Sequence, residues 1–213
     1  MKIVKPQYMD ELYNKRMTEL KKKYNFVYLD SVEKFQKNFK YVLIFVLIAF
    51  LPALYIVVNP NIAPLHSDDS TFLETILVSS FLVIGVFFIL YLHELIHLIT
   101  YPKGWRNKYI VHKKPMMYAV YDGFVSKKRC LFSLISPLLF ITCALTFLML
   151  KFNINLSLII TFFLVDFVAS LQDIYVFYDV IKKAPKDSYF YGAMVTTDVS
   201  KEDYKRFLQK QNT

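Results

Sequence analysis

Apolar residues occur along this chain in four long runs that are separated by polar, mostly basic segments. The runs cover residues 41–58, 72–100, 131–150 and 154–178. A helix needs about 20 residues to cross a bilayer, and each run is close to that length or longer. The pattern predicts an all-α membrane protein with four transmembrane helices in a domain at 41–178, preceded by a segment at 1–40 and followed by a tail at 179–213.

The polar segments have patterns of their own. Residues 8–39 show the spacing of a basic amphipathic helix, which we expect to lie against anionic lipid headgroups. In the 101–130 loop, β-prone residues at 109–111 and 117–121 and a turn signal at Asp122-Gly123 predict a short β-hairpin. Such a hairpin would offer its edge to an extended substrate. The alternative is a plain basic loop on the membrane surface.

Charge supports the membrane interpretation and gives it an orientation. A hydrophobic content of 55% combined with a net charge of +9 requires that apolar and charged residues are segregated. All but one of the 26 lysines and arginines lie in the 1–40 segment, the 101–130 loop and the tail. The positive-inside rule therefore predicts a multi-pass protein of the cell membrane with both termini in the cytoplasm. Because these charges flank apolar runs, the lipid bilayer explains them better than a nucleic-acid partner does.

Ionisable side chains inside the runs are confined to two of them. The second run contains His93, Glu94 and His97, and the fourth contains Asp166 and Asp173. Such residues are costly in a membrane and are functional candidates. Two histidines four residues apart share a helical face and can bind one Zn²⁺, and the glutamate after the first can act as acid and base, as in the HExxH motif of zinc peptidases.

A catalytic zinc needs a third protein ligand. The second and fourth runs cross in the same direction, and Asp173 lies as far from the cytoplasmic end as the histidines do. Asp166 is about 10 Å deeper at 1.5 Å per residue. We therefore predict Asp173 as the ligand. Asp166 and Ser170 share its face and would support the site by hydrogen bonds, with Asp166 also open as an alternative ligand or as an acid bonded between helices.

The remaining candidates have simpler interpretations. His66 and His112 have no partner at ligand spacing and are predicted to be surface residues. Pro137 is predicted to kink the third span. Cys130 and Cys143 lack the spacing of a metal cluster or a disulfide framework and are predicted to be free thiols.

The segment Leu92 to His97 at a helix end, followed by Ser170 to Ile174 in a later span, resembles the site-2 protease clan. More closely, it resembles a small bacterial family of membrane zincin peptidases. The resemblance covers the second to fourth spans, and it implies His93, His97 and Asp173 as zinc ligands with Glu94 as the acid and base. Site-2 proteases usually have Asn and Pro before a Leu-Asp-Gly, whereas here Ile174 follows the aspartate and no Asn-x-x-Pro is present.

These observations leave three functions open. The first is a zinc-dependent membrane endopeptidase that cuts a membrane or membrane-associated protein near the cytoplasmic side. The second is a non-catalytic, metal-binding scaffold or adaptor. The third is an ion or proton transporter that relays protons through Glu94, Asp166 and Asp173. Paired histidines at ligand spacing favour the first over the third, and the sequence indicates no oligomeric state.

Overall fold

The computed structural model describes residues 2–31, 33–35, 37, 72–102, 107–113, 116–152 and 156–212. The first predicted span, 41–58, and His66 lie outside these residues. The elements in chain order are β1 (Lys2–Val4), α1 (Pro6–Lys21), β2 (Val27–Tyr28), α2 (Phe72–Thr100), β3 (Lys108–Lys113), β4 (Met116–Tyr121), β5 (Val125–Ser126), α3 (Lys127–Phe152), α4 (Leu156–Lys183), β6 (Tyr189–Tyr191), β7 (Met194–Thr196) and α5 (Lys201–Asn212).

Three helices of the described chain, α2, α3 and α4, are long and apolar enough to cross a membrane. They correspond to the second, third and fourth predicted spans. Two of them extend beyond the apolar runs, because α3 begins at Lys127 and α4 continues to Lys183. Hydropathy marks only the apolar part of a helix, whereas backbone hydrogen bonding continues into the charged residues at its ends. Large apolar side chains such as Phe87, Phe147 and Leu150 are more than half exposed on the outer faces, as expected for lipid contact.

The three long helices pack around a shared apolar core. Its buried members are Ile89 of α2, Ile141 and Leu145 of α3, and Ile159 and Phe162 of α4. Gly85 of α2 allows a close approach, because a Cβ added there would clash with the Phe162 ring. This core holds α2 and α4 side by side, which is what brings their polar residues together.

The expectation of an all-α protein is wrong in one respect, since seven short strands form two sheets within the described residues. The first sheet has the order β1-β3-β4 and the second has the order β2-β7-β6-β5. The predicted hairpin at 101–130 is confirmed as β3 paired antiparallel with β4. Its connection falls at 114–115, and Asp122-Gly123 instead follows β4. Strands in the amino-terminal segment and in the tail were not expected, because elements of two or three residues are too short to show a period.

The amino-terminal helix is also shorter than predicted. In place of a helix over 8–39, α1 ends at Lys21 and β2 follows. Its two buried residues pack against protein: Met17 packs with Tyr24 and Phe124 in one cluster, and Met9 packs with Tyr109 in another. The amphipathic pattern of α1 therefore reflects contact with the two sheets.

Two cations hold the carboxyl end of α2. Lys108 is 3% exposed, and its Nζ donates hydrogen bonds to the carbonyl oxygens of Leu98 at 2.5 Å and Tyr101 at 3.2 Å. Arg129 Nε donates to the carbonyl oxygen of Thr100 at 2.9 Å. The last carbonyls of a helix lack partners within it, and positive charge there is favourable. Burial lowers the pKa of Lys108, and the charge of Arg129 adds to this effect.

Lys108→Met should destabilise this end of α2. The apolar stem would stay packed, but hydrogen bonds from a charged donor, worth about 1.5–3 kcal/mol, would be lost. We expect a lower melting temperature of the purified protein in detergent. Lys128→Met is the matched control, because that side chain is exposed on the first turn of α3. Equal melting temperatures for the two variants would contradict a clamping role for Lys108.

Candidate metal centre

Two histidines and one aspartate converge at the cytoplasm-facing end predicted for α2 and α4. His93 and His97 lie on the last two turns of α2, and Asp173 lies on α4. Oδ2 of Asp173 is 3.0 Å from Nε2 of His93 and 3.1 Å from Nε2 of His97. The three candidate ligand atoms all lie within 4.8 Å of one another. Asp173, which the depth comparison selected, is thus beside both histidines.

The hydrogen bonds on the far side of each imidazole indicate what this centre would hold. Nδ1 of His93 is 3.0 Å from Oδ1 of Asp166, and Nδ1 of His97 is 3.5 Å from Oγ of Ser133. A neutral imidazole has one N–H, and a carboxylate can only accept it. For His93 this favours the proton on Nδ1, which leaves its Nε2 lone pair directed at the carboxylate of Asp173. Two imidazoles and one carboxylate that converge on one point form a ligand set that suits Zn²⁺.

Asp166 lies on the opposite side of His93 from Asp173. Its side chain is completely buried, and it contacts Nδ1 of the ring, whereas Asp173 contacts Nε2. The Oδ2 atom of Asp166 and the Oγ atom of Ser170 are also buried, and neither has a hydrogen-bond partner among the described residues. Asp166 therefore stands where it fixes the ring of His93, and it does not face the point where the three candidate ligands meet.

Glu94 faces the first sheet. Its Oε2 accepts a hydrogen bond of 2.5 Å from the backbone N–H of Ala119 in β4. Strand β4 lies at one edge of its sheet, with β3 as its neighbour on the other side. The carboxylate of Glu94 is thus placed between the metal-ligand helix and a strand edge, next to the histidines but outside the candidate ligand set.

The structure also shows a residue that sequence reasoning missed. Ser133 of α3 is 2% exposed and lies behind His97, where Thr100 and Tyr101 also contact it. A single serine shows no spacing typical of metal ligands. Its position as a polar residue in an apolar run was the one sequence signal that could have pointed to it. Among the other candidates, His112 is exposed on β3 and Pro137 is buried inside α3.

The thiols of Cys130 and Cys143 are free, as the sequence predicted. They contribute no atom to the candidate ligand set of the described residues.

Comparison with known proteins bears on the same segment. No curated protein and no solved structure matches the chain. Residues 86–189, just under half of the chain, match the model of a protein family described as “Putative zincin peptidase”. The matched range contains His93, Glu94, His97 and Asp173. The match supports a zincin-like peptidase family for this chain and suggests a zinc metallopeptidase.

Proposed function

We propose that this protein is a membrane-embedded zinc metalloprotease. It hydrolyses peptide bonds of a membrane or membrane-associated protein near the cytoplasmic side. The observation that carries the proposal is the convergence of His93, His97 and Asp173 from two apolar helices, with Glu94 directly beside them. The family similarity points to the same chemistry.

The donor set fits zinc, which when bound would activate a water molecule and polarise the substrate carbonyl. The remaining work belongs to side chains of the protein. Glu94 takes a proton from the attacking water as the water oxygen bonds to the carbonyl carbon of the substrate. The same carboxyl group then passes that proton to the amide nitrogen as the C–N bond breaks. One water is consumed, and a carboxylic acid and an amine are formed.

Strand β4 gives this chemistry a place for an extended substrate. The Ala119 N–H points at Glu94 and away from β3, so this side of β4 faces the proposed acid and base. A substrate segment laid along such an edge would have its carbonyl groups exposed, which a helix does not allow. We propose that the substrate passes between β4 and the carboxyl end of α2.

The proposed location follows from charge. Lys108 and Arg129 lie at the same end of α2 as the metal centre, and the positive-inside rule assigns such an end to the cytoplasm. The site would then lie at the cytoplasmic edge of the bilayer in a multi-pass membrane protein, with both termini cytoplasmic.

Removal of the metal tests the proposal directly. Protein purified in detergent and reconstituted in lipid vesicles should contain about one zinc per chain and should cleave a membrane-inserted peptide. A chelator such as 1,10-phenanthroline should abolish cleavage, and added Zn²⁺ should restore it, because the histidines alone cannot activate water at neutral pH. Purified protein that retains no zinc, or that cleaves equally well after chelation, would refute the proposal.

A further inference from the structure

A group of hydroxyls lies behind His97, on the side of the ring that faces away from Asp173. Ser133 Oγ is 3.5 Å from Nδ1 of His97. Thr100 Oγ1 is 2.9 Å from the same serine oxygen, and the hydroxyl of Tyr101 also lies beside Ser133. His93 has the carboxylate of Asp166 in the equivalent place. The two histidines therefore differ in how their Nδ1 atoms are held.

The protons of this group can be counted. A serine hydroxyl has one hydrogen to donate and two lone pairs with which to accept. Thr100 also has one hydrogen, and the carbonyl oxygens of Ile96 and His97, 3.0 and 2.9 Å from its Oγ1, can only accept it. When Thr100 donates to one of them, its contact with Ser133 needs the serine hydrogen, for which the hydroxyl of Tyr101 is a second acceptor. When either takes it, the serine can only accept from the imidazole. His97 must then carry its proton on Nδ1, which leaves Nε2 unprotonated and directed at Asp173.

The surrounding contacts keep this group in place. Tyr101 N–H donates to the carbonyl oxygen of His97 at 3.1 Å, so the helical pattern continues through it. The ring of Tyr101 stacks on Tyr121 of β4 with centroids 5.4 Å apart. Lys108 binds the carbonyl oxygen of Tyr101. Ser133 itself is 2% exposed, so water does not compete freely for its hydrogen bonds.

We propose that Ser133, oriented by Tyr101 and Thr100, is the positioning residue of His97, and that it selects the tautomer in which Nε2 binds the metal. This inference rests on the proposed function, because it assumes that His97 is a zinc ligand. Groups that orient metal-bound histidines typically contribute 10- to 100-fold to metal affinity. The hydroxyls have no part in the proton transfers assigned to Glu94.

The experiment compares two buried serines of the same helix. Ser136 is 1% exposed and donates only to the carbonyl oxygen of Ser133 within α3, so Ser136→Ala removes a similar hydroxyl without touching His97. Zinc affinity is measured in detergent by competition with a fluorescent chelator, using zinc alone as the probe. We expect Ser133→Ala to weaken zinc binding about 10-fold or more, whereas Ser136→Ala leaves it within about 2-fold. The melting temperature of the metal-free protein should fall by a similar amount in both.

A second variant tests the next contact. Tyr101→Phe keeps the stacked ring and removes only the hydroxyl, so Ser133 loses one of the two oxygens that take its hydrogen. We expect a smaller loss of zinc affinity, roughly 3- to 10-fold, and this variant decides the matter if Ser133→Ala does not fold. Equal zinc affinity in the Ser133→Ala, Ser136→Ala and wild-type proteins would overturn this inference alone. If Ser133→Ala cannot be obtained, wild-type zinc affinity in Tyr101→Phe would overturn it instead. A wild-type protein without zinc affinity would overturn the proposed function as well.

Discussion

Glu94→Gln is expected to abolish peptide cleavage while leaving the metal centre loaded. The amide oxygen of the substituted side chain can still accept the hydrogen bond from the backbone N–H of Ala119, so the contact with β4 survives. An amide cannot take a proton from water at neutral pH, however, and general acid–base catalysis is worth about 10²- to 10⁴-fold. We therefore expect kcat to fall by about that factor with zinc content unchanged, as measured by peptide cleavage in vesicles and by metal analysis of the same preparation.

The control for this variant is Glu19→Gln. Glu19 lies on α1, where its side chain is 57% exposed, so the same change of charge there should leave both kcat and zinc content at wild-type values. A Glu94→Gln protein that cleaves at the wild-type rate would contradict the proposed mechanism. If cleavage and zinc are lost together, Glu94 acts on metal binding, and its assignment as acid and base is wrong.

Hydropathy was sufficient to predict the three long helices because a bilayer imposes a length of about 20 apolar residues on each. It was insufficient for the sheets. Ile3 of β1 pairs with Ile110 of β3. The residues around Ile3 carry no signal that identifies a pairing partner more than 100 residues later in the sequence. The end of α1 was missed for a related reason. Residues 21–23 are lysines, which favour helix, and the helix ends because Tyr24 packs against Phe124 and Phe26.

The candidate site was predictable to different degrees for different residues. His93, Glu94 and His97 follow from spacing along one helix. Asp173 lies on another helix, but the constant rise of an α-helix converts sequence position into depth, and the structure places it beside both histidines. Neither argument applies to Ser133, because depth does not say which face of α3 turns towards α2.

The contact between Glu94 and the backbone of β4 could not be predicted from the sequence, for a different physical reason. The hairpin of β3 and β4 was predicted from β-prone residues, and a backbone N–H is common to every residue except proline. The N–H of Ala119 contacts Glu94 because β4 is the edge strand and lies against α2. That arrangement depends on β1 pairing with the other side of β3, which is a tertiary feature. The sequence thus predicted the strand and an edge open to a substrate, but not the contact between Ala119 and Glu94.

Replacement of Asp166 or Asp173 by asparagine should separate the two roles proposed for α4. Both changes keep side-chain volume and replace one carboxyl group by an amide on the same helix, two turns apart. Asp173→Asn replaces the carboxylate oxygen that lies 3.0 and 3.1 Å from the two histidines, so we expect zinc to be lost on gel filtration and cleavage with it. Asp166→Asn alters only the acceptor of His93 Nδ1. We expect it to weaken zinc binding by about 10- to 100-fold while still reaching one zinc per chain when the ion is in excess.

The test is the ratio of the zinc affinities of the two variants, because loss of a metal ligand must lower zinc affinity more than loss of a group that orients a ligand. Metal analysis before and after dialysis against a weak chelator measures it, with the melting temperature of the metal-free protein as the check on folding. Zinc retained by Asp173→Asn and lost by Asp166→Asn would reverse the assignment and make Asp166 the ligand. Equal losses in both would mean that the carboxylates act as a pair, in which case His93 would be held between two anions and not between an anion and a metal ion.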